Sequence, residues 1–307
     1  MDIKPLNDEL SIADQLFFVE GNGDYPCIRI RNAYADALIS VYGGQVLSFR
    51  PKGSDELLFL GEKAFFEEGK AIKGGVPVCW PWFGPHPEKK SYPAHGFVRN
   101  RMWNVMHTET TENGSTKVSL GIKSTAETRS IWPHDFSLKL DITVSDTMLL
   151  ELTTRNTGDQ TFSMTQALHS YFSVGDVSQI QLLGLEDKQY IDKTDSDSVK
   201  QQDGIVTISN EVDRIYYDAP ALLTIADKSM QRNIQINSSG NRTTVVWNPW
   251  SEISKSSADL QDDDYQRFLC VETVNAVADA VEVAAGDAYK LTAEITIEIQ
   301  HSNHQTI

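Results

Sequence analysis

The chain is 307 residues long, with 40% hydrophobic residues and a formal net charge of -16. That length suits one large β domain or two ordinary ones and suffices for a sizeable core. The charge argues against nucleic acid or an anionic membrane as partner, since both bind extended positive surface, and no apolar run approaches the ~20 residues that span a bilayer.

The amino terminus, Met1-Asp-Ile-Lys-Pro-Leu-Asn-Asp-Glu9, carries acids where a signal peptide has a basic start and then an apolar stretch, so a cytoplasmic protein is expected. Cys27, Cys79 and Cys270 are an odd set without CxxC spacing. They predict buried, reduced thiols rather than a disulfide framework or a zinc site. Candidate strands follow at Cys27 to Arg31, Ala37 to Tyr42 and Gln45 to Phe49. Next comes Gly74-Gly-Val-Pro-Val-Cys-Trp-Pro-Trp-Phe-Gly-Pro85, with Pro93-Ala-His-Gly-Phe-Val-Arg-Asn100 close behind. Prolines that remove N–H donors, alternating with glycines, exclude regular helix and central strand here and predict a rigid loop. Trp80, Trp82 and Phe83 either anchor that loop or line a sugar-sized pocket. Between Lys70 and Arg101 six basic residues face one acid, Glu88, so this stretch carries a local +5 within an acidic chain. A small phosphorylated ligand is compatible with it.

Asn113-Gly114 suits the turn of a hairpin with arms Trp103 to Thr108 and Lys117 to Lys123. Phe136, Leu138, Leu140, Ile142 and Val144 alternate with polar residues, and after Ser145-Asp146 so do Met148, Leu150 and Leu152, which predicts a second hairpin. Further strands are expected at Phe162 to Val174, Gln179 to Leu183, Ala221 to Ala226, Ile234 to Ile236, Thr243 to Trp247, Phe268 to Glu272 and Leu291 to Ile299. Asp192 to Asp203 reads as a surface loop. Helical periodicity is weak throughout, and no linker divides the chain. Residues 1–307 are therefore expected to form a single all-β domain, a large antiparallel β-sandwich.

Two residues break the apolar pattern of their strands. His169 lies within Ala167-Leu-His-Ser-Tyr-Phe172, and Glu272 within Phe268-Leu-Cys-Val-Glu-Thr-Val274. A buried imidazole must be satisfied or put to work, and a buried carboxylate must be paired, protonated or set in a wet cleft. Two such exceptions on separate strands suggest one shared site. Five other histidines offer less: His301 and His304 belong to a polar tail, His86 and His107 lack convergent polar neighbours in sequence, and His134, in Trp132-Pro-His-Asp135, reads as a turn residue bonded to Asp135.

The ordered motifs GGVPVCWPWFGP, HGFVRN, ALHSYF, Asp213-Arg-Ile-Tyr216, VVWNPW and FLCVET resemble the bacterial D-hexose-6-phosphate mutarotases of the aldose 1-epimerase superfamily. The resemblance runs from about Asp24 to Ile299. It implies a galactose mutarotase-like supersandwich and an isomerase that interconverts the α and β anomers of glucose 6-phosphate, with neither metal nor organic cofactor. By the same resemblance His169 is the general acid, Glu272 the general base, and Lys73, His95, Arg99 and Asp213 are substrate contacts. Lys73 stands where relatives often carry arginine, which keeps the charge and loses the bidentate fork. Ala94 stands where some relatives have a glutamine that contacts substrate. A monomer acting on a small hexose 6-phosphate is expected. Three other readings stay open: a mutarotase of free aldoses, a non-catalytic carbohydrate-binding sandwich, and a glycoside hydrolase with Asp213 as its second carboxylate.

Overall fold

The computed structural model describes residues 2–299; His301 and His304 lie outside them. Two eight-stranded antiparallel sheets dominate. One runs in the order Ser198–Gln201, Gln189–Asp192, Val212–Tyr217, Thr243–Asn248, Phe268–Asn275, Gln166–Leu168, Val78–Cys79, with Tyr171–Ser173 also paired to Phe268–Asn275. The other runs Ile180–Leu183, Leu222–Asp227, Arg232–Ser239, Ala288–Ile299, Met148–Asn156, Phe136–Val144, Thr116–Lys123, Asn104–Thr110. A four-stranded sheet of Leu16–Glu20, Pro26–Arg31, Ala35–Ser40 and Gln45–Pro51 and a two-stranded ribbon complete the β structure.

Period-two alternation explains this layering. Phe136, Leu138, Leu140, Ile142 and Val144 send their side chains to one side, where they meet Met148, Leu150 and Leu152 of the next strand. From the first sheet Leu168, Tyr216, Val246, Leu269 and Val271 join the same buried cluster. The opposite face of that first sheet carries a separate small cluster of Cys79, Ala167, Ile215, Val245, Val274 and Ala276. One face thus builds the core, while the other is free to build a cleft.

Several expectations need correction. The stretch Phe162 to Val174 is three short strands, interrupted at Thr165 and at His169-Ser170, because its N–H groups turn to the proline-rich loop. Thr165 donates to Pro81 O, His169 to Pro77 O and Tyr171 to Gly75 O, at 2.9 to 3.0 Å. The prolines accept without donating, which suits the edge that this segment forms. Asp192 to Asp203 is no plain loop, since Ser198–Gln201 pairs with Gln189–Asp192. Ser196 and Asp197, both at positive φ, make the turn, and Val199, 62% exposed, gave no alternation to read. Val212–Tyr217, which carries Asp213, is a strand that apolar patterning did not reveal. Helices Ile3–Leu10, Ala126–Ile131 and Trp250–Ser256 are each at most eight residues long, too short for clear periodicity.

Trp80 and Trp82 anchor the loop. Trp80 is fully buried, its Nε1 donates to Thr154 Oγ1 at 3.0 Å, and its ring meets Phe97, Trp132 and Phe136. Trp82 is 5% exposed and donates from Nε1 to Pro93 O. Phe97 N donates to Trp80 O, which brings Gly96 against that carbonyl at φ 76°. A Cβ on Gly96 would lie 1.8 Å from Trp80 O. Gly96→Ala is therefore expected to destabilise the protein by about 3 kcal/mol or to displace the loop. An unchanged urea midpoint would refute this account of the packing.

Candidate active site

Register places the predicted groups on the face turned away from the core. Glu272 lies opposite Val245, Val245 opposite Ile215, and Trp247 between Asp213 and Cys270. Val246 and Val271, one residue along on their strands, belong to the core. Asp213, Trp247, Cys270 and Glu272 therefore share the outer face. His169 follows Gln166–Leu168, whose Ala167 is paired with Val274 on one side and Cys79 on the other.

His169 Nε2 stands 3.4 Å from Glu272 Oε1, with 9% and 1% of the two side chains exposed. The sequence separation of this pair is bridged by the sheet itself. His169 Nδ1 and Glu272 Oε2 are buried without a hydrogen-bond partner among the described residues, unusual for native interiors and consistent with groups kept for a ligand's hydroxyls. Burial pushes the imidazole well below its ordinary range, helped by His95, Arg99 and Lys73. Burial likewise pushes the Glu272 carboxyl well up, reinforced by Asp213 and opposed by Arg99. Both groups consequently favour their neutral forms.

His95 approaches from the loop, its ring centroid 5.8 Å from that of His169. Its φ of 64° is left-handed backbone, held by a hydrogen bond from His95 N to Gly84 O at 2.7 Å. Gly84 N donates to His95 Nδ1 at 3.3 Å, so the neutral ring carries its proton on Nε2 and can donate from there. Burial, with Arg99 adding to it, brings its pKa down to about 3.

Arg99 lies in the turn Val98–Asn100, pinned where Trp103 Nε1 donates to Val98 O at 3.0 Å. Its Nη2 donates to Ala94 O at 2.9 Å, and its Nε is buried without a partner among the described residues. The main chain of Ala94, whose side chain lacks polar atoms, thus orients the cation. Arg99 is near enough to act electrostatically on Glu272, His169 and His95. Asp213 is half-buried, and burial raises its carboxyl to about 6, with Lys193 opposing and Glu211 adding to the rise.

The basic stretch is less positive than its sequence. Lys70 pairs with Glu67, Lys73 with Asp259 and Arg101 with Glu127, each at 2.7 or 2.8 Å and each with an acid from outside the stretch. Arg99 is left as the cation that faces the acid–base pair. Sequence reasoning also missed Tyr171, stacked on His169 at 4.8 Å and 10°, and Trp247, edge-on to both rings. The spacing His169-x-Tyr171, which puts two side chains on one face of an expected strand, was the available signal for Tyr171. Among the described residues no three His, Cys, Asp or Glu side chains gather as a metal-ligand set, and no helix is long and apolar enough to cross a membrane. All three cysteines are free and buried.

A family model described as Aldose 1-epimerase matches residues 26–296. The chain belongs to this family. It is 37% identical over 256 residues to a Salmonella typhimurium protein named "Putative glucose-6-phosphate 1-epimerase", covering 83% of this chain and 85% of that one. A protein of the same name from Cenchrus ciliaris is 37% identical over 270 residues, with 85% and 80% covered. The crystal structure of a Salmonella typhimurium protein titled a "putative mutarotase" superposes with a TM-score of 0.88 at 33% identity, over 94% of this chain and 96% of that one.

The electrostatics of Glu272 have a consequence for stability. A carboxyl whose folded pKa lies above its unfolded value binds protons more tightly when folded, so stability falls as pH rises from the unfolded value through the folded one. Glu272→Gln removes this penalty. The melting temperature of Glu272→Gln should exceed that of wild type at pH 8, and the gain should shrink towards pH 4. A gain independent of pH would show that Glu272 is not strained by its charge.

Proposed function

We propose that this protein is a hexose-6-phosphate mutarotase, a single-domain monomer of the cytoplasm that interconverts the α and β anomers of glucose 6-phosphate. The observation that carries this reading is the buried contact between His169 Nε2 and Glu272 Oε1 at 3.4 Å, in a cleft that also holds Arg99. The names borne by the relatives point to the same substrate. Every group required comes from one chain, so a monomer suffices. Free, buried cysteines accord with a reducing compartment.

Mutarotation needs one proton removed from the C1 hydroxyl and one delivered to the ring oxygen. The reaction starts from the minor form in which the proton of the neutral pair has passed from Glu272 to His169 across their contact. Glu272 then takes the hydroxyl proton as carboxylate, His169 gives the ring oxygen its proton as imidazolium, and the C1–O5 bond breaks to an open-chain aldehyde. Rotation about C1–C2 presents the other face, after which Glu272 returns its proton to O1 and His169 recovers its own from O5. While the sugar is open the pair is neutral, a carboxylic acid beside an imidazole. That is the state which burial favours, so the surroundings that resist charging the pair also stabilise the ring-opened stage. His95, with Nε2–H available, and Asp213 hold sugar hydroxyls. Arg99 and Lys73 receive the phosphate.

A free aldose remains the nearest rival, favoured by one observation: Lys73 already has a carboxylate, Asp259, at 2.7 Å. Polarimetry of freshly dissolved α-glucose 6-phosphate and α-glucose separates the two. His169→Ala and Glu272→Gln should each slow the approach to anomeric equilibrium by about 10²–10⁴-fold while leaving circular dichroism unchanged, and wild-type turnover in either would end the assignment. Arg99→Glu should abolish the preference for the phosphorylated sugar. Persistence of that preference would mean that the phosphate binds elsewhere.

A further inference from the structure

The Lys73–Asp259 pair sits at the rim of the cleft, with 23% and 19% of the side chains exposed. Lys73 acts on His169 and Cys270 electrostatically, so its ammonium lies near the reacting groups. Asp259 comes from elsewhere in the chain, after helix Trp250–Ser256. Its main chain is firmly supported: neighbouring Leu260 is fully buried with Phe59, Tyr171, Phe268 and Cys270, and Gln261 N donates to Asp264 Oδ2 at 2.7 Å. The carboxylate is therefore presented from a fixed backbone by a short side chain that a rotamer change can withdraw.

Arg99 differs from Lys73 in a telling way. Its guanidinium donates to the Ala94 carbonyl, and among the described residues no carboxylate pairs with it. One cation of the anion site is thus neutralised and the other is open. With 23% and 19% of its side chains exposed the pair is largely buried, so Asp259 can leave Lys73 only when another anion takes its place. A phosphate dianion carries more charge than Asp259, and both Lys73 and Arg99 act on the same imidazole, so an anion beside His169 feels both cations and competes with the carboxylate for Lys73. A neutral sugar has no means of doing so.

We propose that Asp259 is a displaceable counter-ion of Lys73: it occupies the ammonium in the empty cleft, yields it to the phosphate of the substrate, and so limits how strongly the site favours phosphorylated over free sugar. This rests on the sugar-phosphate reading above and adds a residue that acts through Lys73 rather than on the sugar. Removing the charge removes both the competitor and its repulsion of the dianion.

The test uses Asp259→Asn, Lys73→Met and the double variant, with Asp259→Ser in reserve should the first not fold. Inorganic phosphate binding is measured by calorimetry, and the ratio of kcat/KM for glucose 6-phosphate to that for glucose by polarimetry. Asp259→Asn should bind phosphate about tenfold more tightly and raise the ratio similarly, through KM with kcat held. The gain should vanish in the double variant, and Lys73→Met alone should weaken phosphate binding. Unchanged or weaker phosphate binding in Asp259→Asn, a gain that survives loss of Lys73, or Lys73→Met binding phosphate like wild type would each overturn the proposal. Because calorimetry needs no turnover, a protein that binds phosphate as expected but anomerises no sugar would overturn the functional reading and leave the counter-ion standing.

Discussion

When Thr165, His169 and Tyr171 send their N–H groups to the carbonyls of Pro81, Pro77 and Gly75, they fasten a loop whose prolines have no donors of their own to the edge of a sheet. Nearly everything in the cleft follows from that attachment. It sets the backbone from which His169 reaches Glu272, and it carries onward to Trp80, whose carbonyl holds the Gly96 turn. From that turn His95 and Arg99 are aimed at the same place. The loop and the strand are therefore one structural element in two pieces.

The two faces of the first sheet divide labour between stability and chemistry. Leu168, Val246 and Val271 fill the core, while their neighbours Trp247 and Glu272 lie on the opposite face. Such a division lets a carboxylate be deeply buried without sitting in the main apolar core. The cost is nonetheless real, since Glu272 keeps an unpaired buried oxygen and His169 is enclosed by three rings, Tyr171 stacked on it and His95 and Trp247 edge-on. A site arranged this way trades stability for acid–base power, as active sites with perturbed carboxyls do.

Much of this was legible in the sequence because it rests on period-two patterning. The hairpin Phe136–Val144 with Met148–Asn156 follows directly from its alternating apolar residues, and His169 and Glu272 stood out as breaks in apolar runs. Other features left no such trace. Asp213 lies on a strand whose residues alternate poorly, and Ser198–Gln201 pairs through its backbone with almost no apolar side chains to mark it. Asp259 is one acid among several between Ser256 and Asp264, and its choice of Lys73 depends on folding across 186 positions of chain. The local charge of the basic stretch misled for the same reason: its partners Glu67, Glu127 and Asp259 lie outside the window that sums to +5.

Arg99 is steered by the carbonyl of Ala94, a group that every amino acid possesses. The guanidinium can therefore keep its aim through any replacement at position 94 that tolerates the same turn, whatever side chain arrives there. Specificity at this corner is written in the path of the chain, and comparing side chains letter by letter would overlook it. A longer polar residue can be tried at position 94 without touching the carbonyl that holds the Arg99 guanidinium.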